Sequence, residues 1–392
     1  MTATRPDAPG LTGTDTLGGH TTRQLLRLCE VVGLTAHDAE VYARTLTAML
    51  GAAAARPLDL PPPNPTFLSD DHTPVEFSLS FVPGAAPTLR VLLEPGCAVG
   101  DLAQNGRLGL RAVRETAARW GFATDRLDEL EDLFLPPSPE GPFALWCALE
   151  LRPGGVPKVK VYLNPAANGR GHAAATVREA LRRLGHHDAF AALPPHDRHL
   201  FFALDLGDWA EPRVKVYLAH QDLSAAEAGA LSRTGGLPRA AEAERAEQNE
   251  EFFRIAAGQD EADGGGSETA LAPAPAVRRP VQSCHAFTES ASGLPSGFTL
   301  YVPVRDYAPH DGEALTRATV LLGRYGQDPA PLSAAVSALT DRGPEEGVGL
   351  VAYLALAHQQ GQPPRVTTYL SSEAYAVRPP VGLLPAEPAT VR

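Results

Sequence analysis

The sequence has little cysteine and no basic excess. Its four cysteines, Cys29, Cys97, Cys147 and Cys284, lie far apart and form no C-x-x-C pair. This spacing argues against a zinc site or a disulfide framework and is typical of a reducing compartment such as the cytoplasm. Lysine and arginine number 34 against 46 acidic residues, so the formal net charge is −12. Because nucleic-acid-binding domains usually carry a basic face, this balance argues against a nucleic-acid partner.

Long apolar runs are also missing. The most apolar run, residues 348–357, is far shorter than the roughly 20 residues that cross a bilayer. Residues 1–19 are polar and rich in Gly and Thr, without the apolar core of a signal peptide. We therefore expect a cytoplasmic protein with no membrane contact and with loose tails at 1–19 and 381–392.

Glycine and proline, by contrast, are abundant at 36 and 37 residues, and they punctuate a repeat. The heptapeptide PKVKVYL at 157–163 returns as PRVKVYL at 212–218, and weaker copies lie at 87–93, 297–301 and 364–370. Each copy alternates with period two, which predicts a strand, and follows a second strand-like run and a turn. The predicted hairpins are 75–82 with 88–94, 145–152 with 156–164, 200–206 with 213–219, 284–290 with 298–304, and 349–356 with 365–371.

Helical patterns alternate with the hairpins. Composition and apolar spacing near 3.6 residues predict these segments. The predicted helices are 21–34, 38–50, 101–120, 125–134, 173–184, 224–257, 312–325 and 332–340. Residues of about 258–280 are of low complexity and predict a flexible surface loop inside one domain spanning 20–380.

Ten antiparallel strands in an open sheet would leave two edges and one uncovered face. Closing the sheet into a barrel removes the edges, and helices can then cover its outer surface. The predicted fold class is therefore α+β, with ten antiparallel strands around a solvent-filled lumen and a ring of helices. Such a lumen is wider than that of an eight-stranded barrel, which side chains just fill.

The period-two rule separates an apolar face from a polar one in the second strand of each hairpin. The apolar face carries mainly Val, Leu and Phe and should pack under the helices. The opposite face carries six cations and four tyrosines but no carboxylate, and in a closed barrel it points into the lumen. These residues are Arg90, Lys158, Lys160, Arg213, Lys215, Arg365, Tyr162, Tyr217, Tyr301 and Tyr369.

Cations in a desolvated lumen require an anion, and arginine and lysine together suit a diphosphate. Tyrosine faces beside them would stabilise a carbocation and exclude water. Ionisation of a prenyl diphosphate, followed by attack of an electron-rich acceptor, needs both. The alternative is the solvated face of an open sheet, with Lys and Arg protecting its edges. Glu76, the one acid on the polar face of the first hairpin, could accept a hydrogen bond from an acceptor N–H, or simply be a surface residue.

At these residues the sequence resembles a known family, the dimethylallyltryptophan synthase superfamily of αββα-barrel aromatic prenyltransferases. Within that superfamily it most resembles actinobacterial tryptophan dimethylallyltransferases. The resemblance spans residues of about 25–380 and rests on SDDHTPVEFS at 69–78, SPEGP at 138–142 through KVYLNPAANG at 160–169, VPVRDY at 302–307, and residues 365–375. It implies a prenyl transferase with dimethylallyl diphosphate as donor and L-tryptophan or another indole as acceptor.

The resemblance also implies roles for the lumen residues. Arg90, Lys160, Arg213 and Lys215 match the cations that bind the diphosphate. Tyr162, Tyr217, Tyr301 and Tyr369 match the tyrosines that shield the allylic cation, and Glu76 matches the acid that binds the indole N–H. Asp70-Asp71 is not part of an Asp-Asp-x-x-Asp metal motif, so we expect catalysis without Mg²⁺ or any other cofactor.

Two features depart from the family pattern. Some fungal members carry a lysine on the strand before the second repeat, as the base for the arenium proton. Residues 145–151 contain no lysine here, which leaves the base unassigned. Thr299 and Thr367 are shorter than their positions would allow, so donor contacts there should be weaker.

Other interpretations stay open at this point. Basic and aromatic strands also occur on sheets that stack RNA bases, and a barrel of this type can prenylate phenols instead of indoles. The resemblance favours normal attachment at C6 of tryptophan, with C5, C7 and N1 as alternatives. The protein is expected to be a monomer or a homodimer.

Overall fold

The computed structural model describes residues 15–207, 213–232, 238–259 and 278–381. Most of the predicted loop at 258–280 and of both predicted tails lies outside these residues. Across the described ranges, no helix is both long and apolar enough to pass through a membrane.

Ten strands form one sheet that closes on itself. In chain order, β1 to β10 are Val75–Phe81, Thr88–Leu93, Leu145–Glu150, Lys158–Leu163, Arg198–Leu206, Val214–His220, Val281–Phe287, Gly297–Val302, Val351–Gln359 and Arg365–Ser371. Each strand pairs antiparallel with the next, and β1 pairs with β10 from Glu76 opposite Ser371 to Phe81 opposite Val366. The predicted ten-stranded antiparallel barrel is confirmed.

Helices of the described ranges surround this barrel. In chain order, α1 to α10 are Leu17–Val31, Ala36–Leu50, Leu102–Trp120, Asp125–Asp128, Glu131–Phe134, Ala173–Arg183, Ala225–Ala230, Arg239–Ala257, Asp311–Arg324 and Ala330–Leu339. The helix predicted at 125–134 is divided into α4 and α5. The helix predicted at 224–257 is divided into α7 and α8, and Pro238 immediately precedes the first residue of α8.

The predicted N-terminal tail extends too far into the chain, because α1 begins at Leu17 rather than after residue 19. The Thr16 hydroxyl accepts a hydrogen bond from the Gly19 backbone N–H at 3.1 Å and caps the helix. Leu17 itself is fully buried in the core. A single polar cap and one buried side chain therefore place the start of α1 ahead of its first strongly periodic residues.

Alternate side chains of each strand pack beneath the helices, as the period-two rule predicts. On β4, Val159, Val161 and Leu163 are at most 1 % exposed and belong to the same core as the apolar side of α6. The buried residues of α6 follow helical spacing: Ala173, Thr176, Val177, Ala180 and Leu181. Each fully buried Val or Leu contributes about 1.5–3 kcal/mol. This outer layer commits the remaining side chains of every strand to the lumen.

Candidate active site

A cavity of about 360 Å³ occupies the end of the lumen where the even-numbered strands begin and the odd-numbered strands end. All six cations that the sequence pattern turns inward line this cavity, and two carboxylates join them. These groups are Arg90, Lys158, Lys160, Arg213, Lys215, Arg365, Glu150 and Asp205. Among the described residues, the cavity therefore carries four more cations than carboxylates, and we call it the cation chamber.

Glu150 and Asp205 are lumen carboxylates that the alternation of the even-numbered strands did not predict. The even strands indeed carry none, but antiparallel pairing places the ends of β3 and β5 beside the starts of β2, β4 and β6. Arg90 donates from Nε and Nη2 to Glu150 Oε2 at 3.0 and 2.9 Å. Glu150 Oε1 also lies 3.5 Å from Lys158 Nζ, and Asp205 Oδ1 lies 3.3 Å from Lys160 Nζ. These ion pairs orient part of the cationic lining.

The pKa values separate paired from unpaired groups. Burial would raise the pKa of Glu150, but Arg90 and Lys158 outweigh it and lower that pKa to about 2. Burial, reinforced by Lys160, lowers the pKa of Lys215 well below its usual value, and this lysine is only 6 % exposed. Burial and the neighbouring Arg90 likewise lower the pKa of Arg365 to about 10. A bound anion would therefore favour the charged forms of Lys215 and Arg365.

Four tyrosines form an arc beyond the cations. Tyr162, Tyr217, Tyr301 and Tyr369 stand on alternate strands, β4, β6, β8 and β10. Successive ring centroids are 5.7, 5.8 and 5.8 Å apart. Burial is the main cause that raises the pKa of each phenol, so all four stay neutral at pH 7. We refer to these four residues as the tyrosine belt.

Small residues on the intervening strands make room for the belt. Ala203 lies opposite Tyr162, Cys284 opposite Tyr217, and Ala355 opposite Tyr301. Alternating large and small side chains let the rings lean towards the barrel axis without clashes. In the first repeat the equivalent position is Leu92, so the ring of aromatic faces is open on that side.

A second pocket lies on the other side of the tyrosine belt, and we call it the acceptor chamber. The belt and Leu92 line both pockets, so the two share one wall. The further lining of the acceptor chamber is Phe67, Leu68, Glu76, Trp146, Phe201, Gln282, Arg305 and Tyr353. The arrangement places neutral aromatic faces between a charged compartment and a largely aromatic one.

Glu76 is the one carboxylate that lines the acceptor chamber among the described residues. It is 5 % exposed, and burial raises its pKa to about 8 although Arg305 opposes the rise. The carboxyl group is therefore largely protonated near pH 7 in the unliganded protein. A donor that approaches it, such as a ring N–H, would favour the ionised form.

Trp146 forms a wall of the acceptor chamber and explains why no lysine stands there. Its ring packs on Phe143 and Phe201 at centroid distances of 4.4 and 5.3 Å. Its Nε1 donates to Glu94 Oε2 at 3.3 Å, and Glu94 also accepts from Asn105 at 2.6 Å. Trp146 is opposite Tyr162 in the β3–β4 pair. The side of β3 that faces the lumen therefore carries a hydrogen-bonded indole ring instead of a base.

The lining residues that were not predicted from the sequence include Gln282, Tyr353 and Arg305. Gln282 and Tyr353 lie near the starts of β7 and β9, which antiparallel geometry places at the same rim as the ends of the even strands. That relationship could have identified them. Arg305 lies in a short 3₁₀ turn after β8, where period-two alternation has ended, and only the VPVRDY motif marks it.

The two acids that precede β1, Asp70 and Asp71, have structural partners. Asp71 accepts from Ser69, from the backbone and hydroxyl of Thr73, and from the backbone N–H groups of residues 375 and 376. Asp70 pairs with Arg279, Arg305 and Arg378. Within the described ranges, no three His, Cys, Asp or Glu side chains are grouped as metal ligands.

Comparison with known proteins gives a family match over most of the chain. A sequence model of the tryptophan dimethylallyltransferase family matches residues 20–333. That range includes Glu76, the six cations except Arg365, and three members of the tyrosine belt.

Solved structures agree with this match. The prenyltransferase PriB, crystallised with L-tryptophan and dimethylallyl thiolodiphosphate, is 59% identical and covers 95% of this chain and 100% of its own, with a TM-score of 0.87. A 5-dimethylallyl tryptophan synthase from Streptomyces coelicolor is 60% identical over 95% of this chain and 100% of its own, with a TM-score of 0.85. A 6-dimethylallyltryptophan synthase from Micromonospora olivasterospora is 38% identical over 93% and 100%, with a TM-score of 0.81.

Proposed function

Because this chain belongs to the tryptophan dimethylallyltransferase family, it is a prenyl transferase, and we propose that it joins dimethylallyl diphosphate to L-tryptophan. The observation that carries this proposal is the order of the three parts of the lumen. The cation chamber, which has more cations than carboxylates, lies on one side of the tyrosine belt. The acceptor chamber, with its buried carboxyl group, lies on the other side. Proteins 59% and 60% identical to this chain were crystallised with tryptophan and a thio analogue of the donor.

In the proposed reaction, the donor diphosphate lies among Arg90, Lys160, Arg213 and Lys215. The bond between C1 of the prenyl group and the diphosphate oxygen breaks, and its electron pair leaves with the diphosphate. Bidentate Arg and point-charge Lys contacts stabilise the negative charge that develops there. Burial lowers the pKa of Lys215 and so disfavours its charged form, and a bound anion opposes this effect. These cations supply the electrostatic role for which other enzymes use Mg²⁺, so we propose that turnover needs no metal.

The allylic cation that remains faces the tyrosine belt. Phenol rings attract a cation through their π faces and exclude the water that would otherwise capture it. Centroid spacings of 5.7 to 5.8 Å leave no break along the arc from Tyr162 to Tyr369. We propose that this shield directs the cation towards the acceptor.

In the acceptor chamber, Glu76 accepts the indole N–H, which increases the electron density of the ring. A ring carbon attacks C1 of the cation, a C–C bond forms, and the arenium ion then loses its proton. Fixing both partners in one geometry contributes much of the rate acceleration. Among the described residues, no lysine lines the chamber to accept that proton.

We propose attachment at the benzene ring through the primary carbon of the prenyl group, at C6. C5 is the second candidate, because a protein 60% identical to this chain is a 5-dimethylallyl tryptophan synthase. The 38% identity to a 6-dimethylallyltryptophan synthase is lower. The site of attack depends on how the indole is rotated against Trp146 and Phe201.

The test is incubation of the purified protein with dimethylallyl diphosphate and L-tryptophan in EDTA, read by mass spectrometry and proton NMR. Prenylated tryptophan would support the proposal, and the ring coupling pattern would distinguish C5 from C6. Turnover that requires added Mg²⁺ would contradict the metal-free part. Turnover of phenols alone would show that the acceptor is a phenol instead of an indole. Absence of donor binding would contradict the role of the cation chamber.

A further inference from the structure

The charges of the cation chamber are distributed unevenly around the barrel. On β2 and β4, three of its cations lie next to a carboxylate: Arg90 and Lys158 next to Glu150, and Lys160 next to Asp205. On β6 and β10, Lys215 and Arg365 lie within ion-pair distance of no carboxylate in the part of the chain that the structure describes, and the buried Nε of Arg365 has no hydrogen-bond partner there. One side of the chamber is therefore neutralised before any ligand enters, and the other is not.

The strand register builds the neutralised side into the barrel. Glu150, at the end of β3, lies opposite Arg90 on one neighbouring strand and opposite Lys158 on the other. Asp205, near the end of β5, lies opposite Lys160. Side chains at directly opposed positions of an antiparallel pair are about 5 Å apart at Cβ, so opposite charges meet there. These contacts therefore follow from the backbone pairing.

Both carboxylates stay charged at neutral pH. Burial would raise their pKa values, but the neighbouring cations outweigh it. They lower the pKa of Glu150 to about 2 and hold the pKa of Asp205 below its usual value. An anion that enters the chamber therefore meets two fixed negative charges as well as the cations, and like charges this close repel one another.

The arrangement bears on the product more than on the donor. Inorganic diphosphate, which remains in the chamber after prenyl transfer, carries at least as much negative charge as the prenylated diphosphate that entered. Six cations without counter-ions would therefore hold the product at least as tightly as the donor. Glu150 accepts from Arg90 Nε and Nη2 at 3.0 and 2.9 Å, so a carboxylate already occupies one edge of a guanidinium that the diphosphate needs.

We propose that Glu150 and Asp205 are counter-ions that speed the release of the product diphosphate. This inference rests on the proposed function, since it assumes that the cation chamber binds the diphosphate of the donor. When the diphosphate binds, Arg90 and Lys160 turn from the carboxylates to phosphate oxygens. When it leaves, the carboxylates take these cations back, so departure leaves fewer buried charges without a partner. Without the carboxylates, dissociation would be slower.

The competing explanation is that Glu150 only orients Arg90 for the donor. Glu150→Gln separates the two roles, because glutamine keeps a side-chain oxygen that can accept from Arg90 and loses the charge. An orienting role predicts unchanged or weaker diphosphate binding in this variant, whereas a counter-ion role predicts tighter binding. Glu179→Gln is the matched control, since Glu179 accepts from Arg182 and Arg183 on α6 and does not line the chamber.

The experiment is calorimetric titration of the full chain with inorganic diphosphate in EDTA, with stopped-flow measurement of its dissociation. In Glu150→Gln and in Asp205→Asn we expect the Kd to fall about 5- to 50-fold, as removal of one nearby like charge predicts, and the dissociation rate to fall by a similar factor. The Tm of each unliganded variant should fall, because a cation loses its partner, and diphosphate should raise that Tm more than it raises the Tm of the unmodified protein. Glu179→Gln should bind diphosphate within about twofold of the unmodified protein.

The direction of the change decides the matter, and either variant suffices if the other does not fold. Unchanged or weaker diphosphate binding, or an unchanged dissociation rate, would overturn the inference and leave the proposed function intact. If the unmodified protein bound no diphosphate, the proposed function and this inference would both be contradicted. Tighter binding in the variants, without any prenylated tryptophan from the unmodified protein, would contradict the proposed acceptor and leave the counter-ion role standing.

Discussion

Tyr217 and Tyr301 approach to 5.8 Å between ring centroids although β7 separates their strands. Strands two apart in a sheet are separated by about 9.6 Å, so the rings must converge towards the barrel axis. On β7, Cys284 lies opposite Tyr217 and, on its other side, opposite Thr299. Its small side chain leaves space for the rings of Tyr217 and Tyr301. The shield for the proposed carbocation thus depends on a small residue as much as on the aromatic ones.

Removal of one ring from this belt should let water reach the cation. Tyr217→Ala is expected to lower turnover about 3- to 30-fold and to divert donor into dimethylallyl alcohol, as cation–π magnitudes imply. Tyr217→Phe keeps the ring face and should keep the product ratio. The measurement is the ratio of prenylated tryptophan to prenyl alcohol by chromatography. An unchanged ratio in Tyr217→Ala would show that this ring does not shield the cation.

Lys215 and Lys158 provide a matched pair in the cation chamber. Lys215 is 6 % exposed and has no carboxylate within ion-pair distance among the described residues, whereas the Lys158 side chain is 49% exposed and lies 3.5 Å from Glu150. Lys215→Met should weaken donor binding at least about tenfold and raise the Tm of the unliganded protein, because a buried polar side chain without a carboxylate partner is removed. Lys158→Met should change donor affinity by less than about threefold.

Both effects can be followed by titration with the thiolodiphosphate analogue and by thermal unfolding. A larger loss of affinity in Lys158→Met than in Lys215→Met would place the diphosphate at the rim instead of deep in the chamber. A fall in Tm for Lys215→Met would mean that this lysine is compensated in the unliganded protein.

The pH dependence should report the ionisation of Glu76. Its pKa is raised to about 8, so the carboxyl is neutral below that pH and ionised above it. The ionised form is the stronger acceptor for an indole N–H. At saturating donor, kcat/KM for tryptophan should therefore rise with pH through about 8. In Glu76→Gln this rise should vanish and kcat/KM should fall at least about tenfold. A rise that persists in Glu76→Gln must come from another group.

Phe67 lines the acceptor chamber and yet is 69% exposed, so it stands at the chamber mouth. Covering this ring with a bound indole would bury apolar area on both partners. Phe67→Ala should raise KM for tryptophan several-fold and leave the KM for the donor and the Tm almost unchanged. Leu60→Ala, another exposed apolar residue that does not line the chamber, should alter none of these values. Equal effects of the two variants on KM would contradict a role for Phe67 in acceptor binding.

The amino-acid sequence by itself determined the strands, their number and the face that each side chain takes. These depend on a period-two pattern within a few neighbouring residues, which packing against the helices enforces. The cations and the tyrosine belt are readable from the same pattern, because they repeat in phase on the even strands.

Tertiary structure decided which charged side chains have a partner of opposite charge and which are buried without one. The pairing of Arg90 with Glu150 joins residues 60 positions apart, and the burial that raises the pKa of Glu76 comes from several elements. Arg305 enters the acceptor chamber from a turn that follows no strand period. The burial and the pKa of a group depend on residues that are close in space, whereas the alternation of side chains depends only on neighbours in the chain. Residues distant in the sequence become neighbours only when the barrel closes.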